Sequence, residues 1–292
     1  NGIQTSAERP QPIYWFAGEE IISEDDDTIT VKKDGKIYSI EKKILKPYFK
    51  PTKKAEKGLT TYNSLTTDKK IIFPYDSEGH LIPIETMKAD YPGTYAYLLN
   101  YYDRLVPKCV SKEGIRDVPN ATADTWYQYG RTQALTAFID TPKLIVKVMA
   151  KDNPMYAMDK ADMLIASGGT AGYCAVAKKA DSCYDLEYIQ AWLANSYTEK
   201  IFNIVGSDFE GGFISRGTFV LSSLPSVMLN FDDPKQKALY DRVVEATREV
   251  YTINDKLAEK PAKQVETTLI RKKTALIKEI DELISRVYRL EF

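Results

Sequence analysis

Four leucines in the last part of the chain recur at seven-residue intervals, at Leu269, Leu276, Leu283 and Leu290. Ile280 and Val287 lie between them, and three further isoleucines widen the apolar stripe. Residues seven apart lie on one face of an α-helix, so the pattern predicts a helix over residues 262–290. At 1.5 Å per residue such a helix is roughly 40 Å long, which indicates a spacer or a dock for another domain.

A second amphipathic helix is predicted directly before this one. Asp232-Asp233-Pro234 combines an acidic N-cap with a proline at the first helical position, which is typical of a helix start. Apolar residues then alternate at spacings of four and three as far as Leu257, and Pro261 ends the helix. We therefore expect an antiparallel helical hairpin over residues 231–292 that docks on a neighbour. A homodimeric zipper built on the heptad leucines is the alternative.

Residues 1–230 show a different pattern. Short segments with strand character are separated by Gly, Pro and Asn, at residues 28–31, 36–40, 71–75 and 144–148. Lys33-Asp34-Gly35 between the first two segments predicts a β-hairpin. Residues 95–105 and 186–197 have the spacing of amphipathic helices. Because strands and helices do not alternate as in a βαβ fold, we expect an α+β fold. It would consist of a mixed sheet with short strands and helices, followed by the helical hairpin.

The charge of the chain is balanced overall but segregated along the sequence. Forty basic residues oppose 41 acidic ones, so binding to nucleic acid through bulk charge alone is not expected. Residues 19–27 carry six acids and no base. Residues 30–57 carry ten lysines against three acids, interleaved with Tyr38, Tyr48 and Phe49. A solvated face is the commoner outcome of such a run, but its chemistry also suits contact with phosphates.

The scarcity of histidine and the spacing of cysteine exclude several kinds of active site. His80 is the one histidine, and its Asp-Ser-Glu-Gly setting indicates a surface turn. A metal site with several histidines is therefore impossible within one chain. Cys109, Cys174 and Cys183 form no Cys-x-x-Cys pair, which indicates reduced thiols in the cytoplasm. The N-terminus has no signal-peptide pattern and no initiator Met, so we expect a piece of a longer cytoplasmic protein.

Asn153-Pro154-Met155-Tyr156, which follows a predicted strand, is similar to the Asn-Pro-Pro-Tyr-type loop of amino-methyltransferases. In that loop an aromatic ring stacks on a flipped base. A stand-alone amino-methyltransferase that uses Asn153 and Tyr156 is therefore one alternative. The sequence has no Gly-rich loop after a first strand and no following acid to hold a ribose, so a strand and a turn are favoured.

Two segments carry side chains suited to reading DNA bases. Trp126-Tyr127-Gln128-Tyr129-Gly130-Arg131-Thr132-Gln133 places Arg131 and Gln133 beside three aromatic rings. Arg can donate two hydrogen bonds to guanine, and Gln can form a bidentate pair with adenine. Arg216 follows the glycines at 211 and 212, which allow close approach of the backbone. From spacing alone, a core aromatic cluster with a capping Arg is the stronger interpretation of the first segment.

An ordered series of short segments runs through nearly the whole chain. The segments are Gly2-Ile3-Gln4-Thr5, Ile44-Leu45-Lys46-Pro47-Tyr48, Ile72-Phe73-Pro74-Tyr75, Tyr91-Pro92 with Tyr95-Ala96-Tyr97-Leu98, the aromatic–arginine segment, Pro142-Lys143-Leu144-Ile145, Trp192-Leu193-Ala194-Asn195-Ser196, Gly212-Phe213 with Arg216, and Leu224-Pro225. The series resembles the TaqI-like C-terminal specificity domain of adenine-specific DNA methyltransferases and type IIG (type IIS) restriction–modification enzymes. Ile280-Asp281 and Val287-Tyr288-Arg289-Leu290 are similar to the tail of that family.

This resemblance implies a DNA target recognition domain over residues 1–230, with residues 231–292 as a helical hairpin or spacer. Its partners would be double-stranded DNA and an upstream methyltransferase domain of the same polypeptide, not a membrane. The fragment would hold no cofactor, no metal and no catalytic residue. S-adenosylmethionine, and Mg²⁺ if a nuclease is present, would bind to the parent protein.

The residues expected to contact DNA are assigned by chemistry and by position in the matching segments. Arg131, Gln133 and Arg216 are the candidate base readers. Five lysines are the candidate phosphate contacts, namely Lys46, Lys50, Lys53, Lys54 and Lys143. A protein-interaction module that uses the heptad helix, with the α+β part as scaffold, is a third interpretation.

Overall fold

The computed structural model describes residues 2–50, 61–62, 64–131, 135–136, 139, 141–151, 154–160, 162–166 and 172–292. The chain divides into two compact units. The first unit takes its described residues from 1–50, 66–140 and 161–168, and the second takes them from 51–65, 141–160 and 169–292. Both units contain sheets and helices, so the chain has the α+β fold that the sequence predicts.

The elements are numbered here in chain order. The strands are β1 (Trp15–Phe16), β2 (Ile21–Glu24), β3 (Thr28–Lys33), β4 (Lys36–Glu41), β5 (Leu45–Phe49), β6 (Lys70–Ile72), β7 (Lys143–Lys147), β8 (Met149–Ala150), β9 (Tyr156–Asp159), β10 (Leu164–Ile165), β11 (Tyr173–Ala177), β12 (Asp208–Phe209) and β13 (Phe213–Ser215). The α-helices are α1 (Ile84–Asp90), α2 (Pro92–Asn100), α3 (Tyr102–Leu105), α4 (Leu186–Leu193), α5 (Ser196–Val205), α6 (Thr218–Ser223), α7 (Pro234–Ala258) and α8 (Lys263–Arg289). Short 3-10 helices cover Gly18–Glu20 and Lys42–Ile44.

The first unit contains a mixed sheet and an antiparallel sheet. The mixed sheet has the order β1-β6-β5-β10, with β10 parallel to β5 and the other pairs antiparallel. The antiparallel sheet has the order β2-β3-β4. The predicted hairpin is confirmed at β3–β4, where Asp34 and Gly35 both have positive φ, at 52° and 76°. Two such residues in sequence are what a tight hairpin turn requires.

Tyrosine rings fill much of the core of the first unit. Tyr14, Tyr97, Tyr127 and Tyr129 are buried there together with Phe16. The Tyr14 and Tyr129 rings meet edge to face, with centroids 5.1 Å apart. Their hydroxyls donate to backbone carbonyls, as Tyr97 does to Ile13 at 2.7 Å. Each of these four tyrosines can therefore be buried without an unsatisfied hydroxyl. The aromatic segment around residue 127 is part of the core.

Both helices predicted for the first 230 residues are interrupted. The helix expected over 95–105 begins earlier, at Pro92, and is split at Tyr101 into α2 and α3. The helix expected over 186–197 is split into α4 and α5. Asn195 causes the second break because its side chain accepts from the Tyr197 amide at 2.9 Å and caps α5.

The second unit contains two three-stranded antiparallel sheets and the C-terminal helices. The sheets have the orders β11-β7-β9 and β12-β13-β8. The Asp233 side chain caps α7 by accepting from the Lys235 amide at 2.9 Å, and Pro234 is the first helical residue, as predicted. The boundary predicted at residue 230 stays a prediction.

Helices α7 and α8 form the predicted antiparallel hairpin. Arg242 on α7 pairs with Glu279 on α8, with both N–O distances under 2.9 Å. Glu249 lies seven residues after Arg242 on α7, and it pairs at 2.5 Å with Lys272, which lies seven residues before Glu279 on α8. Because residue numbers rise along α7 while those of their partners fall along α8, the two helices are antiparallel. The hairpin shares its apolar core with Tyr188 and Ala191 of α4, so it docks within its own unit.

The heptad leucines are not the buried seam of α8. The most buried apolar residues are Leu276, which is one of the heptad leucines, and Ile280, Ile284 and Val287, at spacings of four, four and three. Leu290 is 64% exposed, beyond the end of the helix. A 3.6-residue helix that packs on several neighbours buries this wider stripe rather than a strict seven-residue seam. No helix among the described residues combines the length and apolarity that a bilayer-spanning segment requires.

Candidate nucleic-acid interface

The aromatic segment from Trp126 to Tyr129 lies in the core of the first unit, and Arg131, two residues later, lies at the surface. Trp126, Tyr127 and Tyr129 are buried. Their rings pack against other core rings, as Tyr129 does against Tyr75 at 5.1 Å. The rings therefore fix the backbone of the segment. The interpretation of a core aromatic cluster is confirmed, and the next side chain, Arg131, is 39% exposed.

Arg116 holds this segment in place, although no pattern in the sequence predicts this role. Its buried guanidinium donates to the carbonyls of Leu105 at 2.8 Å, Thr5 at 2.7 Å and Gln128 at 2.7 Å. A fourth, longer bond at 3.3 Å reaches the carbonyl of Trp126. Hydrogen bonds from a charged donor contribute about 1.5–3 kcal/mol each. Arg116 therefore joins the N-terminal segment to the aromatic segment that positions Arg131.

The backbone of Arg131 is also held by the N-terminal segment. The Arg131 amide donates to the Gln4 carbonyl and the Gly130 amide to the Thr5 carbonyl, both at 3.1 Å. A side chain at position 130 would collide with the Ser6 hydroxyl, so only glycine allows this approach.

The guanidinium of Arg131 is oriented by Asp117. Nη1 donates to the Asp117 carbonyl at 3.0 Å and to the Gly130 carbonyl at 2.8 Å. Nη2 donates to the Asp117 carboxylate at 3.0 Å. Among the described residues, the Nε–H and the second Nη2–H have no acceptor, which leaves one two-donor edge of the guanidinium available. Such an edge matches O6 and N7 of guanine. Gln133, the predicted second reader, lies outside the described residues.

Lys50 belongs to a cluster around Glu8 in the same unit. Glu8 accepts from Lys50, from the Thr5 hydroxyl at 2.7 Å and from the Trp15 indole at 3.1 Å. Burial raises the pKa of Glu8, but these hydrogen bonds outweigh it, so the pKa is lowered from its ordinary value. The Lys50 ammonium also lies 5.4 Å from the centre of the Trp15 ring. An ammonium has three donors, so Lys50 keeps capacity for a phosphate.

Lys46 is the second described lysine of the predicted phosphate set in this unit. Its ammonium lies 3.4 Å from the Asp162 carboxylate, and both side chains are partly exposed. Lys53 and Lys54 lie outside the described residues.

The acidic and basic runs of the sequence partly neutralise each other. Glu20 lies 2.6 Å from Lys33 of β3, and Glu24 of β2 lies 2.7 Å from Lys42 and 2.9 Å from Lys70 of β6. The hydrogen bonds from Lys42 and Lys70 lower the pKa of Glu24 to about 2. The local excess of seven positive charges in residues 30–57 therefore overstates the positive potential of the surface.

Lys143 is buried in the second unit. Its side chain is 1% exposed, and its ammonium lies 2.8 Å from the fully buried Asp159 carboxylate. The two residues face each other across β7 and β9. In this conformation the Lys143 charge does not reach the surface, and its contact with a phosphate stays a prediction.

Arg216 is also buried in the second unit. Its guanidinium pairs with Glu199 and donates to the Ala150 carbonyl at 2.9 Å. It lies 5.2 Å from the centre of the Phe202 ring. These contacts link β8 and α5, and contact of Arg216 with a base stays a prediction.

The structure places Tyr156, one of the two residues of the stand-alone methyltransferase alternative, inside the second unit. Tyr156 is buried in β9, and its ring stacks against Phe202 with centroids 6.3 Å apart. Its ring is therefore not accessible to a base, and Asn153 lies outside the described residues.

His80 is on the surface, as predicted. The three cysteines are free, and burial raises the pKa of the Cys174 thiol to about 11. No three His, Cys, Asp or Glu side chains of the described part cluster as metal ligands.

Comparison with known proteins relates the chain to restriction–modification enzymes. Over 246 residues it is 34% identical to the type II restriction enzyme and methyltransferase RM.Eco57I of Escherichia coli. The matched region is 83% of this chain but 24% of the relative, so the chain spans about a quarter of that protein's length. No protein-family profile matches the chain. The relationship agrees with the resemblance at the level of the enzyme class.

Proposed function

We propose that this chain is the DNA target recognition part of a restriction–modification enzyme. The observation that carries the proposal is the match over 83% of the chain to one quarter of a protein that combines restriction and methyltransferase activities. In such an arrangement the chain selects the DNA sequence, and a separate part of the longer protein methylates adenine N6 and cleaves if a nuclease is present. The resemblance of the segments to TaqI-like specificity domains supports the same division of labour.

The described residues that carry this proposal, Arg131, Lys46 and Lys50, belong to the first unit. Arg131 offers a two-donor edge, and its backbone is fixed by Arg116 and the aromatic core. A fixed backbone and an oriented guanidinium reduce the entropy that is lost on binding, which favours base reading. Lys46 and Lys50 contact phosphates and set the register of the protein on the duplex. Gln133, Lys53 and Lys54 are proposed for the same roles.

Catalysis takes place elsewhere in the parent protein in this proposal. S-adenosylmethionine binds to the parent's methyltransferase part, and Mg²⁺ binds to a nuclease part if there is one. The buried ring of Tyr156 weighs against the alternative of a stand-alone methyltransferase, because a flipped base must stack on an accessible ring. The enzyme is proposed to be cytoplasmic, where it meets double-stranded DNA.

Two experiments test the proposal. The 292-residue chain is mixed with a randomised duplex library, and the retained duplexes are sequenced after several rounds; we expect one short sequence to be enriched. Calorimetry of the same chain with S-adenosylmethionine should show no binding heat. A library that stays random, or methyl transfer by the chain alone, would contradict the proposal.

A further inference from the structure

Helix α8 carries a polar stripe that the fold does not use. Its members recur at spacings of four, four, three and four, which keeps them on one face of the helix, and they are Lys263, Thr267, Arg271, Thr274 and Lys278. All five residues are exposed. The stripe contains no acid, and at 1.5 Å per residue it is about 22 Å long.

Several other cations of the hairpin are neutralised by ion pairs. Arg242 pairs with Glu279, Lys272 with Glu249, and Arg289 with both Glu282 and Glu291. Lys263, Arg271 and Lys278 form no ion pair with any described residue. The stripe therefore keeps its positive charge available for an external partner.

Lys273 extends this basic surface into a groove of the second unit. It lies on the inward-facing side of α8, in register with Leu269, Leu276 and Ile280. No described carboxylate pairs with it, and partial burial lowers the pKa of its ammonium. A lysine at such a half-buried position packs its methylene groups on apolar surface and keeps its ammonium in solvent, where it can meet a ligand.

The groove beside Lys273 has a volume of about 910 Å³ and is also lined by Thr274, Lys278, Asn195 and Ser196. Each of its two carboxylates has at least one partner within the protein. Glu199 pairs with Arg216. Asp281 accepts from the Asn195 side chain at 2.7 Å and from the Ser196 amide at 2.9 Å.

We propose that the stripe of α8, together with Lys273, binds the phosphate backbone of double-stranded DNA. This inference rests on the proposed function, which supplies DNA as the partner. It adds to that function a contact surface on the helical hairpin, a region otherwise described as a spacer. The charges complement those of a phosphate strand, and a length of about 22 Å spans about six base steps at 3.4 Å per step. Such contacts supply affinity and register but no sequence information.

The salt dependence of binding tests this surface. Each phosphate contact contributes about 0.9 to the slope of log K against log salt concentration. The triple variant Lys263→Gln, Arg271→Gln, Lys278→Gln should therefore lower the slope by about 2–3. Lys273→Gln alone should lower it by about 1. The preferred DNA sequence of both variants should not change, because phosphate contacts do not read bases.

A matched control has the same change in charge elsewhere on the chain. Lys112, Lys179 and Lys235 are exposed and form no ion pair with any described residue, so their triple replacement by Gln should leave the slope as in the wild type. Circular dichroism and urea denaturation establish that all variants are folded. The measurements use the 292-residue chain and a duplex selected from a randomised library.

The outcomes separate this inference from the proposed function. If the wild type selects a sequence but the stripe variant keeps the wild-type slope, the stripe is not a DNA contact and the proposed function stands. The same result is expected if the stripe binds an acidic protein surface. If the control lowers the slope as much as the stripe variant does, the effect is one of general charge, and the inference is overturned. If the wild type binds no DNA, both proposals are wrong.

Discussion

The buried pair of Lys143 and Asp159 allows a stability prediction in which the sign depends on whether one or both partners are changed. The two charges lie 2.8 Å apart, with side chains 1% and 0% exposed, on facing positions of β7 and β9. Removal of one partner leaves the other charge in the core without this ion pair, which costs about 3–5 kcal/mol. We therefore expect Lys143→Met to lower the free energy of unfolding by that amount.

Replacement of both partners should cost much less. An apolar pair of similar volume, Lys143→Met with Asp159→Leu, avoids the desolvation of two ions, and such replacements are often neutral or stabilising by about 1–4 kcal/mol. A large coupling energy between the two substitutions should therefore appear in a double-mutant cycle. Because 1 kcal/mol corresponds to about 2–4 °C for a domain of 150–250 residues, the single variant should melt about 6–20 °C below the wild type.

Urea denaturation followed by circular dichroism measures these free energies. A single variant within about 0.5 kcal/mol of the wild type would refute a buried, mutually dependent pair. DNA titrations at several salt concentrations, at a temperature where the single variant is folded, test the predicted phosphate contact separately. A slope lower by about 0.9 would support that contact, and an unchanged slope would assign Lys143 to the core alone.

The remaining predictions concern recognition, the hairpin and acid stability. Arg131→Ala should relax discrimination at one base pair by about 1–3 kcal/mol, measured by competition between duplexes that differ at each position; an unchanged preference would contradict base reading. Ile284→Ala, at a fully buried position, should cost about 2–5 kcal/mol in urea, whereas Leu290→Ala, at a position 64% exposed, should stay within about 0.5 kcal/mol. Equal losses would instead support a leucine seam. Since its folded-state pKa is lowered, Glu8 contributes stability above its ordinary value of 4.5, and this is lost as pH falls through the folded-state value. The urea midpoint of Glu8→Gln should therefore vary less with pH between 3 and 6 than that of the wild type.

The sequence predicts those parts of the fold that local chemistry determines. Asp233 and Pro234 start α7 because their roles depend only on the adjacent backbone. Asp34 and Gly35 form the turn of the β3–β4 hairpin for the same reason. The sequence also predicts a wide apolar stripe on α8, but not which of its residues are most buried, because seven-residue spacing alone does not determine which neighbours a helix meets. The shared core with α4 selects a broader buried stripe.

The candidate site is less predictable because its partners are distant in sequence or lie in the backbone. Arg116 donates to carbonyls of residues 5, 105, 126 and 128, and backbone acceptors leave no mark in a sequence. Lys143 and Arg216 have the chemistry of DNA contacts, but each meets an acid 16 or 17 residues away once the chain folds. The lysine run is similarly paired with the acidic run that precedes it. Counts of charge along the sequence therefore identify candidate DNA-contacting residues but do not predict whether those residues are exposed.

The specificity ratio of the chain for DNA tests the central claim most directly. The measurement compares the Kd of the 292-residue chain for its selected duplex with the Kd for a shuffled duplex of the same length and composition, at one fixed salt concentration. A recognition domain predicts a ratio of about 10³ or more. Equal affinities for the two duplexes would contradict the claim that this chain chooses where on DNA the enzyme acts.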